Sequence, residues 1–474
     1  MEQTKENKMG TMPVNKLLVS MSLPMMVSML VQALYNVVDS IFVSRINENA
    51  LTAVSLAFPI QTLMIAVAGG TCVGINAVLS KALGEKEQER ADNTAVSGIV
   101  LMAASYILFL LVGLFATRAF YLSQTDDAQI VEYGVQYLSI VCICSFGLFA
   151  QFVFERLLQS TGRTFYIMIT QGTGAIINII LDPIFIFGLF GMPKMGVAGA
   201  AVATIMGQII AGTIAMVLNF TKNEDIHIRF KGFKLEREIV GMIYKIGVPS
   251  MIMQAIGSVM TYGMNKILIS FTPTATAVFG VYFKLQSFIF MPVFGLNNGL
   301  VPILAYNYGA GRRDRFIQAM KCAILYAACI MALGVVIFQA IPEILLGFFS
   351  ASDEMLRIGV PALRIICISF LPAAFGIVCG TAFQALGYAV YSMFVSMARQ
   401  LVVLLPAAFL LSLSGQVTYV WWAFPIAEIM SLTMTVIFLV RINNRVIRYI
   451  GEEPAEAARR RLNDGGVVDR AQGK

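Results

Sequence analysis

Two small groups of polar residues stand inside long apolar stretches of this sequence. Tyr35, Asn36 and Asp39 form the first group, and Asn178 and Asp182 form the second. Tyr35 and Asp39 are four residues apart, as are Asn178 and Asp182, so each pair is expected to share one face of a helix. A charged side chain at the centre of a bilayer costs about 2.5–3.5 kcal/mol on insertion scales. Each aspartate therefore needs a partner or a function.

The two groups together carry the chemistry of a proton or cation site. Pro183 has no amide proton, so the carbonyl of Ile179 loses its helical partner and becomes a further acceptor. Two carboxylates that meet in apolar surroundings repel each other when both are charged, so one is expected to load and release a proton. If the two stretches meet, we expect these groups to bind H⁺, or Na⁺ at Asp39, Asn178 and Asp182.

A structural interpretation of the same aspartates stays open. Both acids stand near the ends of their apolar stretches, where solvent could hydrate them or the cations of Arg45 and Lys194 could pair with them. The recurrence of an acid and an amide at helical spacing in two separate stretches favours the functional interpretation.

Three other groups of charged residues fall within the apolar stretches. Glu155 and Arg156 are adjacent near the end of a stretch, and we expect them to snorkel toward the interface as a pair. Arg399 and Glu428 are expected to form a structural ion pair between neighbouring spans. Lys284 either lines a cavity or reaches an interface with its long side chain, and the sequence leaves both possibilities open.

The apolar stretches themselves define the fold class. The chain has 474 residues, of which 58% are hydrophobic and 13% charged, whereas soluble domains carry about 25% charged residues. Twelve stretches are long enough to cross a bilayer as helices. They cover residues 14–44, 51–81, 93–117, 128–158, 164–190, 195–220, 239–271, 275–305, 316–341, 354–386, 389–413 and 417–440. We therefore expect an all-α integral membrane protein with twelve transmembrane helices.

Composition also excludes several functional classes. The seven cysteines lie in apolar stretches without a CxxC motif and there is one histidine, so we expect no disulfide and no metal site beyond the alkali cation above. A phosphate-binding GxxxxGK[ST] loop is absent, so ATP is not the expected energy source and no cofactor is expected. The net charge of +7 gathers at the ends of the stretches, which argues against a nucleic-acid partner. No nucleophile stands with a base inside a span, so we do not expect an enzyme.

An internal repeat divides the spans six and six. A constant offset aligns Pro24 with Pro249, Gln61 with Gln286, and the GxxxG glycines Gly70 and Gly74 with Gly295 and Gly299. Such glycines permit close helix contact. Because both halves begin on the same side, the repeat is parallel, with a pseudo-two-fold axis along the membrane normal and a site expected between two lobes.

The predicted organisation follows from this repeat and from the basic residues. Most of the 34 Lys and Arg residues fall on the side of the amino terminus, which places both termini in the cytoplasm. The predicted parts are a tail 1–13, a lobe 14–220, a loop 221–238, a second lobe 239–441 and a tail 442–474. The polar residues proposed for the cavity between the lobes are Asn36, Gln61, Lys284 and Gln286.

The sequence resembles the multidrug and toxic compound extrusion (MATE) family from Val14 to Arg441. The segments that carry the resemblance are SLPMMVSMLVQALYNVVDSIFVSR, FERLLQSTGRTFYIMIT, NIILDPIFIFGLFGMPKMGVAGAAVAT, KIGVPSMIMQ and VPILAYNYGAGRRD. The resemblance implies a twelve-helix, two-lobed antiporter that exports organic cations against an inward flow of H⁺ or Na⁺. It also implies a monomer in the plasma membrane.

One branch of this family carries its coupling acid in the seventh span, where this sequence has Gly257. The sequence therefore resembles the DinF-like branch, whose amino-terminal lobe holds the cation site. The positions that match that site are Tyr35, Asp39, Asn178 and Asp182, with Thr204 as a further match. The resemblance leaves open whether H⁺ or Na⁺ is the coupling ion.

We expect a secondary active multidrug efflux antiporter whose partners are small organic cations or amphipathic compounds and the lipid bilayer. The alternative is a lipid-linked saccharide flippase of the same wider superfamily. Its cavity should carry several Arg and Lys side chains, whereas Lys284 and Arg399 are the basic residues placed deep inside the predicted spans. A passive channel or receptor fits less well, because the two-fold repeat encloses few charges.

Overall fold

The structure is a computed structural model that describes residues 7–46, 48–231, 233–349 and 351–452. The side chains of Asn36, Val37, Ser40, Ser44, Glu48 and Leu51 lie outside this description. Every regular element in these ranges is helical. In a bilayer, a helix satisfies all of its backbone polar groups within one segment, which is why long apolar stretches fold this way.

The described part of the first half of the chain forms nine helices. They are α1 (Lys8–Thr11), α2 (Val14–Ser44), α3 (Glu48–Glu85), α4 (Gln88–Phe115), α5 (Thr117–Leu122), α6 (Ala128–Ile143), α7 (Phe146–Ser160), α8 (Thr164–Phe187) and α9 (Val197–Lys222). Helices α6 and α7 meet at a bend of 42° and together form one span. We call α2–α9 the N-lobe.

The second half contributes ten more α-helices within the described ranges, together with two short 3₁₀-helices, Cys367–Ser369 and Ile447–Tyr449. The α-helices are α10 (Arg237–Ile269), α11 (Pro273–Gly309), α12 (Arg313–Ala340), α13 (Pro342–Gly347), α14 (Asp353–Ile366), α15 (Phe370–Ala385), α16 (Ala389–Met397), α17 (Leu405–Ser412), α18 (Val417–Val420) and α19 (Ala423–Arg445). A π-helical stretch, Ala398–Leu404, joins α16 to α17. We call α10–α19 the C-lobe.

The predicted fold class is confirmed. Eleven helical spans of the described ranges are long and apolar enough to cross a membrane, with α14–α15, α16–α17 and α18–α19 counted as one span each. The bent pair α6–α7 raises the number to twelve. The helix boundaries lie within a few residues of the predicted ones at most ends. The N-terminal segment differs, because α1 lies within the predicted tail and its Met9 is fully buried.

Buried apolar side chains form two clusters that follow the two lobes. One cluster runs through the N-lobe, from Met25 to Ala215, and also takes in side chains of α10. The other runs through the C-lobe and includes Met9, Leu17 and Met21 from α1 and the start of α2. The beginning of α2 therefore packs against the C-lobe, whereas the later part of the same helix belongs to the N-lobe.

Both ends of the described chain lie at one end of the helix bundle, which we call the termini side. The Met9 carbonyl accepts hydrogen bonds from Arg315 at 3.0 Å and from Asn307 at 3.2 Å. Near the other chain end, Gly451 lies against Gly311. We call the opposite end of the bundle the far side.

Helix α1 connects the two lobes at the termini side. Just before it, the Asn7 amide donates to the Thr161 carbonyl at 3.0 Å and to Asp225 at 2.9 Å, on the N-lobe side. On the C-lobe side, Arg315 donates to the carbonyl of Met12 at 2.7 Å in addition to that of Met9. Burial lowers the pKa of Lys8 in α1, and the nearby Arg163 lowers it further. The lobes are therefore joined by the chain's own amino-terminal segment.

Glycines allow the two lobes to pack closely in the half of the bundle that is nearer to the termini side. A Cβ added at Gly74 of α3 would clash with the Ile243 carbonyl oxygen of α10. A Cβ at Gly295 of α11 would lie 2.6 Å from the Met26 backbone of α2. The GxxxG glycines singled out in the sequence thus mediate two contacts, α3 with α10 and α2 with α11, that the internal repeat relates to each other.

Candidate functional site

Helices α8 and α9 position the acid and amide of the fifth predicted span. Asp182 is 0% exposed and Asn178 is 2% exposed. The side-chain amide of Asn178 has hydrogen-bond partners for both its nitrogen and its oxygen when the nitrogen faces Asp182. In that orientation it donates to Asp182 Oδ2 at 3.2 Å and accepts from the Thr204 hydroxyl at 3.2 Å and the Thr204 backbone amide at 3.1 Å. Thr204 lies on α9, so the predicted partners from the fifth and sixth spans form one hydrogen-bonded chain.

Helix α2 brings the first predicted group to the same place. It packs against α8, and the carboxyl groups of Asp39 and Asp182 lie within hydrogen-bonding reach of each other. Tyr35 lies beside both acids. Among the described residues, no hydrogen-bond donor reaches Oδ1 of Asp39 or Oδ1 of Asp182, and both oxygens are buried. The two acids therefore share one enclosed pocket and present free acceptor oxygens inside it.

The alternative structural pairing of the aspartates does not occur among the described ion pairs. Arg45 and Lys194 are both exposed, and neither forms an ion pair with Asp39 or Asp182 in the described part of the chain. A buried acid without a cationic partner can hold a proton or bind a cation through its oxygens.

A second tyrosine belongs to this pocket although the sequence did not indicate it. Tyr137 of α6 is 4% exposed and lies beside Asp39 and Tyr35. Its hydroxyl accepts a hydrogen bond of 3.0 Å from the Gln61 amide. No polar residue one turn away on α6 is buried with Tyr137, so the spacing of the sequence does not mark it. The packing of α6 against α3 places it at the pocket.

A cavity of about 680 Å³ lies between the two lobes, within the size range of drug-binding pockets. Its lining includes Tyr35, Asn178 and Thr204, so the pocket of the two aspartates adjoins the cavity. Methionine and aromatic side chains supply much of the apolar wall, among them Met25, Met29, Phe152, Met253, Phe294 and Phe383.

The residues proposed for the substrate cavity lie elsewhere, as far as they are described. Three of them, Gln61, Gln286 and Lys284, are not among the described residues that line the cavity. Gln61 instead donates a hydrogen bond to Tyr137. Lys284 is exposed, with its ammonium 5.8 Å from the ring of Phe349, so its long side chain reaches away from the cavity. The side chain of Asn36 lies outside the described residues.

The expectation that Glu155 and Arg156 form a snorkelling interfacial pair is wrong. Glu155 is 7% exposed and lines the cavity. It accepts hydrogen bonds from Gln151 at 3.0 Å, Thr170 at 2.8 Å and Gln171 at 2.8 Å. The bend between α6 and α7 and the packing of α7 against α8 and α9 turn this face inward, which a uniformly apolar stretch does not reveal.

The expected ion pair between Arg399 and Glu428 is present. Arg399 Nη1 lies 3.2 Å from Glu428 Oε2, and both residues line the C-lobe wall of the cavity. Arg399 stands on the π-helical stretch Ala398–Leu404. Such stretches are rare and frequently occur at functional sites.

Comparison with known proteins identifies similar chains. The model of the MatE family matches residues 24–184 and 249–410, together more than half of the chain. The multidrug export protein MepA of Staphylococcus haemolyticus strain JCSC1435 is 26% identical over 432 residues, which cover 91% of this chain and 94% of that protein. MepA of Staphylococcus aureus strain bovine RF122 / ET3-1 is 25% identical over 437 residues, 90% and 94% of the two chains.

Solved structures share the same architecture. The outward-facing conformation of a multidrug resistance MATE family transporter of the MOP superfamily superposes with a TM-score of 0.87 at 26% identity, covering 94% of this chain and 99% of that one. A MOP superfamily transporter from Pyrococcus furiosus, described as having a binding pocket of reversed polarity, gives 0.87 at 25% identity, with 96% and 100% covered. The two-lobed arrangement of twelve spans is therefore shared with solved transporters.

Proposed function

This chain belongs to the MATE family of membrane transporters, and on that premise we propose that it exports amphipathic organic cations in exchange for protons. The observation that carries this proposal is the meeting of Asp39 and Asp182 in one buried pocket that adjoins the cavity between the lobes. The relatives named as multidrug export proteins support a drug-like substrate.

The geometry of the two carboxyl groups supports H⁺ as the coupling ion. Two buried carboxyl groups that lie beside each other repel when both are ionised, so at least one of them is expected to carry a proton. The free oxygens of Asp39 and Asp182, with the Tyr35 hydroxyl, offer oxygen ligands that would also suit Na⁺. Asn178 would join them only if its amide oxygen turned from Thr204 toward Asp182. We therefore propose H⁺ and treat Na⁺ as the other outcome of the test.

In the proposed cycle, protonation switches the N-lobe between substrate-binding and substrate-releasing states. With both termini in the cytoplasm, as the distribution of basic residues predicts, the glycine contacts close the cytoplasmic side, and the described state is the one that releases substrate outward. A proton binding to Asp39 or Asp182 removes one negative charge from the pocket, which weakens the hold of the N-lobe on a cation. Loss of that proton to the cytoplasm restores the charge.

The energy of one proton is sufficient for export. When one proton is exchanged for a cation of single charge, no net charge crosses the membrane, so the membrane potential does not contribute. Each pH unit then supplies about 1.4 kcal/mol, which sustains a substrate gradient of about tenfold.

The flippase alternative receives little support from the cavity. A diphosphate head group needs several basic side chains. Among the described lining residues the basic ones are Arg156 and Arg399, and Arg399 is paired with Glu428. We also propose the DinF-like branch, a monomeric state and a plasma-membrane location, which the sequence resemblance implied.

The test is transport by the purified protein in proteoliposomes. Inside-out proteoliposomes with an acidic interior should accumulate ethidium, and an imposed sodium gradient without a pH gradient should not drive accumulation. The variant Asp39→Asn should abolish the pH-driven accumulation while remaining in the membrane at wild-type amounts. Asp126→Asn changes an exposed acid on the far side and should transport like the wild type. Accumulation by Asp39→Asn at the wild-type rate would show that Asp39 is not the coupling residue.

A further inference from the structure

Glu155 is an acid that the proposed coupling mechanism does not use. It projects from α7 into the wall of the cavity and is 7% exposed. Its Oε1 accepts from Gln151 and Thr170, and its Oε2 accepts from Gln171. The two glutamine amides donate to one carboxyl oxygen each, which favours the ionised form of Glu155. The Thr170 hydroxyl lies 2.8 Å from Oε1 and 2.9 Å from the Ile167 carbonyl, and its one proton can go to either.

None of the described ion pairs includes Glu155, although the charge of its neighbour Arg156 also acts on it. Arg156 directs Nη1 to the Gln159 side chain at 2.7 Å, and no acceptor among the described residues reaches its buried Nε. The other acid among the described lining residues, Glu428, is paired with Arg399 on the opposite wall. A negative charge fixed by neutral donors at the edge of an apolar cavity attracts a positively charged ligand.

The surroundings of Glu155 fit an amphipathic cation. Phe152, one turn before Glu155 on α7, lines the cavity together with Met29 and Phe294. Aromatic faces and methionines accommodate flat apolar groups of varied shape, and an aromatic face also attracts a cation. A ligand with an aromatic body and one positive nitrogen would thus find both kinds of contact in this cavity.

We propose that Glu155 binds the positive nitrogen of the transported cation and so determines the preference for charged over neutral substrates. This inference rests on the proposed function. The site is separate from the pocket of the coupling ion, because Asp39 and Asp182 are not among the described lining residues whereas Glu155 is.

A direct connection between the two sites runs along α8. Gln171, which donates to Glu155, and Asn178, which donates to Asp182, are on the same helix and both line the cavity. They are seven residues apart, which corresponds to about 10 Å along the helix axis. If α8 moves when the pocket of Asp39 and Asp182 takes up a proton, it therefore displaces Gln171 and Thr170, the two α8 residues that contact Glu155.

The test compares two probes of nearly the same shape and different charge. Ethidium carries a permanent positive charge, and dihydroethidium, its two-electron reduced form, is neutral and is handled without oxygen. Binding of each to the detergent-purified full chain is measured by fluorescence. Glu155→Gln should weaken ethidium binding about tenfold or more and leave dihydroethidium binding within about twofold of the wild type.

Two further variants separate a charge effect from a folding effect. Glu132→Gln makes the same chemical change at an exposed site on α6 and should bind both probes like the wild type. Glu155→Asp keeps the charge and should retain the preference for ethidium. Thermal unfolding and size-exclusion profiles report whether each variant is folded.

Two results would overturn the assignment of Glu155. Glu155→Gln binding ethidium as tightly as the wild type would exclude a role in charge recognition. An equal loss of both probes would assign Glu155 a structural role, since the neutral probe lacks the charge that Glu155 is proposed to bind. Failure of the wild type to bind ethidium at all would instead reject the proposed substrate class, and this inference with it.

Discussion

The buried acids of this protein differ in what neutralises them. Asp39 and Asp182 face each other, with one free oxygen each. Glu155 is held by neutral donors, and Glu428 is paired with Arg399. Burial of an ionised group is costly unless hydrogen bonds or an opposite charge compensate for it. The three environments thus suit three roles, namely proton exchange, recognition of a cation and stabilisation of a helix pair.

A substitution at Thr204 tests the hydrogen-bonded chain behind the coupling pocket. Thr204→Val keeps the shape and removes the hydroxyl that donates to Asn178 at 3.2 Å. The backbone amide of Thr204 still donates to Asn178 at 3.1 Å, so the loss should be about 1 kcal/mol. We expect pH-driven ethidium transport to fall about fivefold.

The measurement is the initial rate of uptake in proteoliposomes at several internal pH values. Thr213→Val, which removes an exposed hydroxyl bonded only to its own helix, is the matched control and should keep the wild-type rate. An unchanged rate in Thr204→Val would mean that Asn178 does not need the hydroxyl to hold Asp182.

At the scale of helices, the contact between α3 and α10 depends on the absence of a side chain at Gly74. Gly74→Ala adds a Cβ that meets the Ile243 carbonyl oxygen, and overpacking of this kind typically costs about 1–3 kcal/mol. We expect the lobes of this variant to separate more often at the termini side. The probe is Ser22→Cys in a background without the native cysteines, because Ser22 is 1% exposed in the described state. When Gly74→Ala is present, this cysteine should react with a membrane-impermeant maleimide about tenfold faster or more.

Gly280→Ala provides the matched control on α11, because a Cβ there meets no atom within 4 Å. It should leave the labelling rate unchanged and slightly stabilise the helix, since alanine reduces the freedom of the unfolded chain. Equal labelling rates for Gly74→Ala and Gly280→Ala would show that the α3–α10 contact does not control closure.

For the molecule as a whole, the proposed cycle requires that protonation changes how the lobes are arranged. Ser123 follows α5 in the N-lobe and Ser414 follows α17 in the C-lobe, and both are exposed on the far side. Spin labels on Ser123→Cys and Ser414→Cys, again without the native cysteines, report the distance between the lobes there. Changing the pH should shift the distance distribution, because protonation of the aspartate pocket is proposed to favour the described, substrate-releasing state and loss of the proton the other state.

The same measurement on Asp39→Asn should show a distribution that no longer responds to pH, because one of the two titrating groups is gone. Asp126→Asn should respond like the wild type. A wild-type distribution that is the same at acid and neutral pH would rule out protonation as the trigger of the conformational change.

The sequence alone determined the spans and the repeat, and it singled out the two acids that meet in the buried pocket, Asp39 and Asp182. A bilayer accepts a lone backbone segment only as a helix, so each apolar stretch had a single structural solution. An acid is costly there, so Asp39 and Asp182 stood out against their neighbours. The spacing of Asn178 and Tyr35 from these acids followed from helical periodicity.

Only the tertiary structure decided which helix faces point inward. In a membrane protein, lipid-facing and core-facing side chains are equally apolar, so the sequence did not show that Lys284 points away from the cavity or that Glu155 points into it. Tyr137 was missed for the same reason, because nothing in its local spacing marks the face of α6 that packs against α3 and brings Tyr137 to the pocket of Asp39 and Asp182. Those placements depend on contacts between helices that are distant in sequence, and such contacts form only when the two lobes assemble.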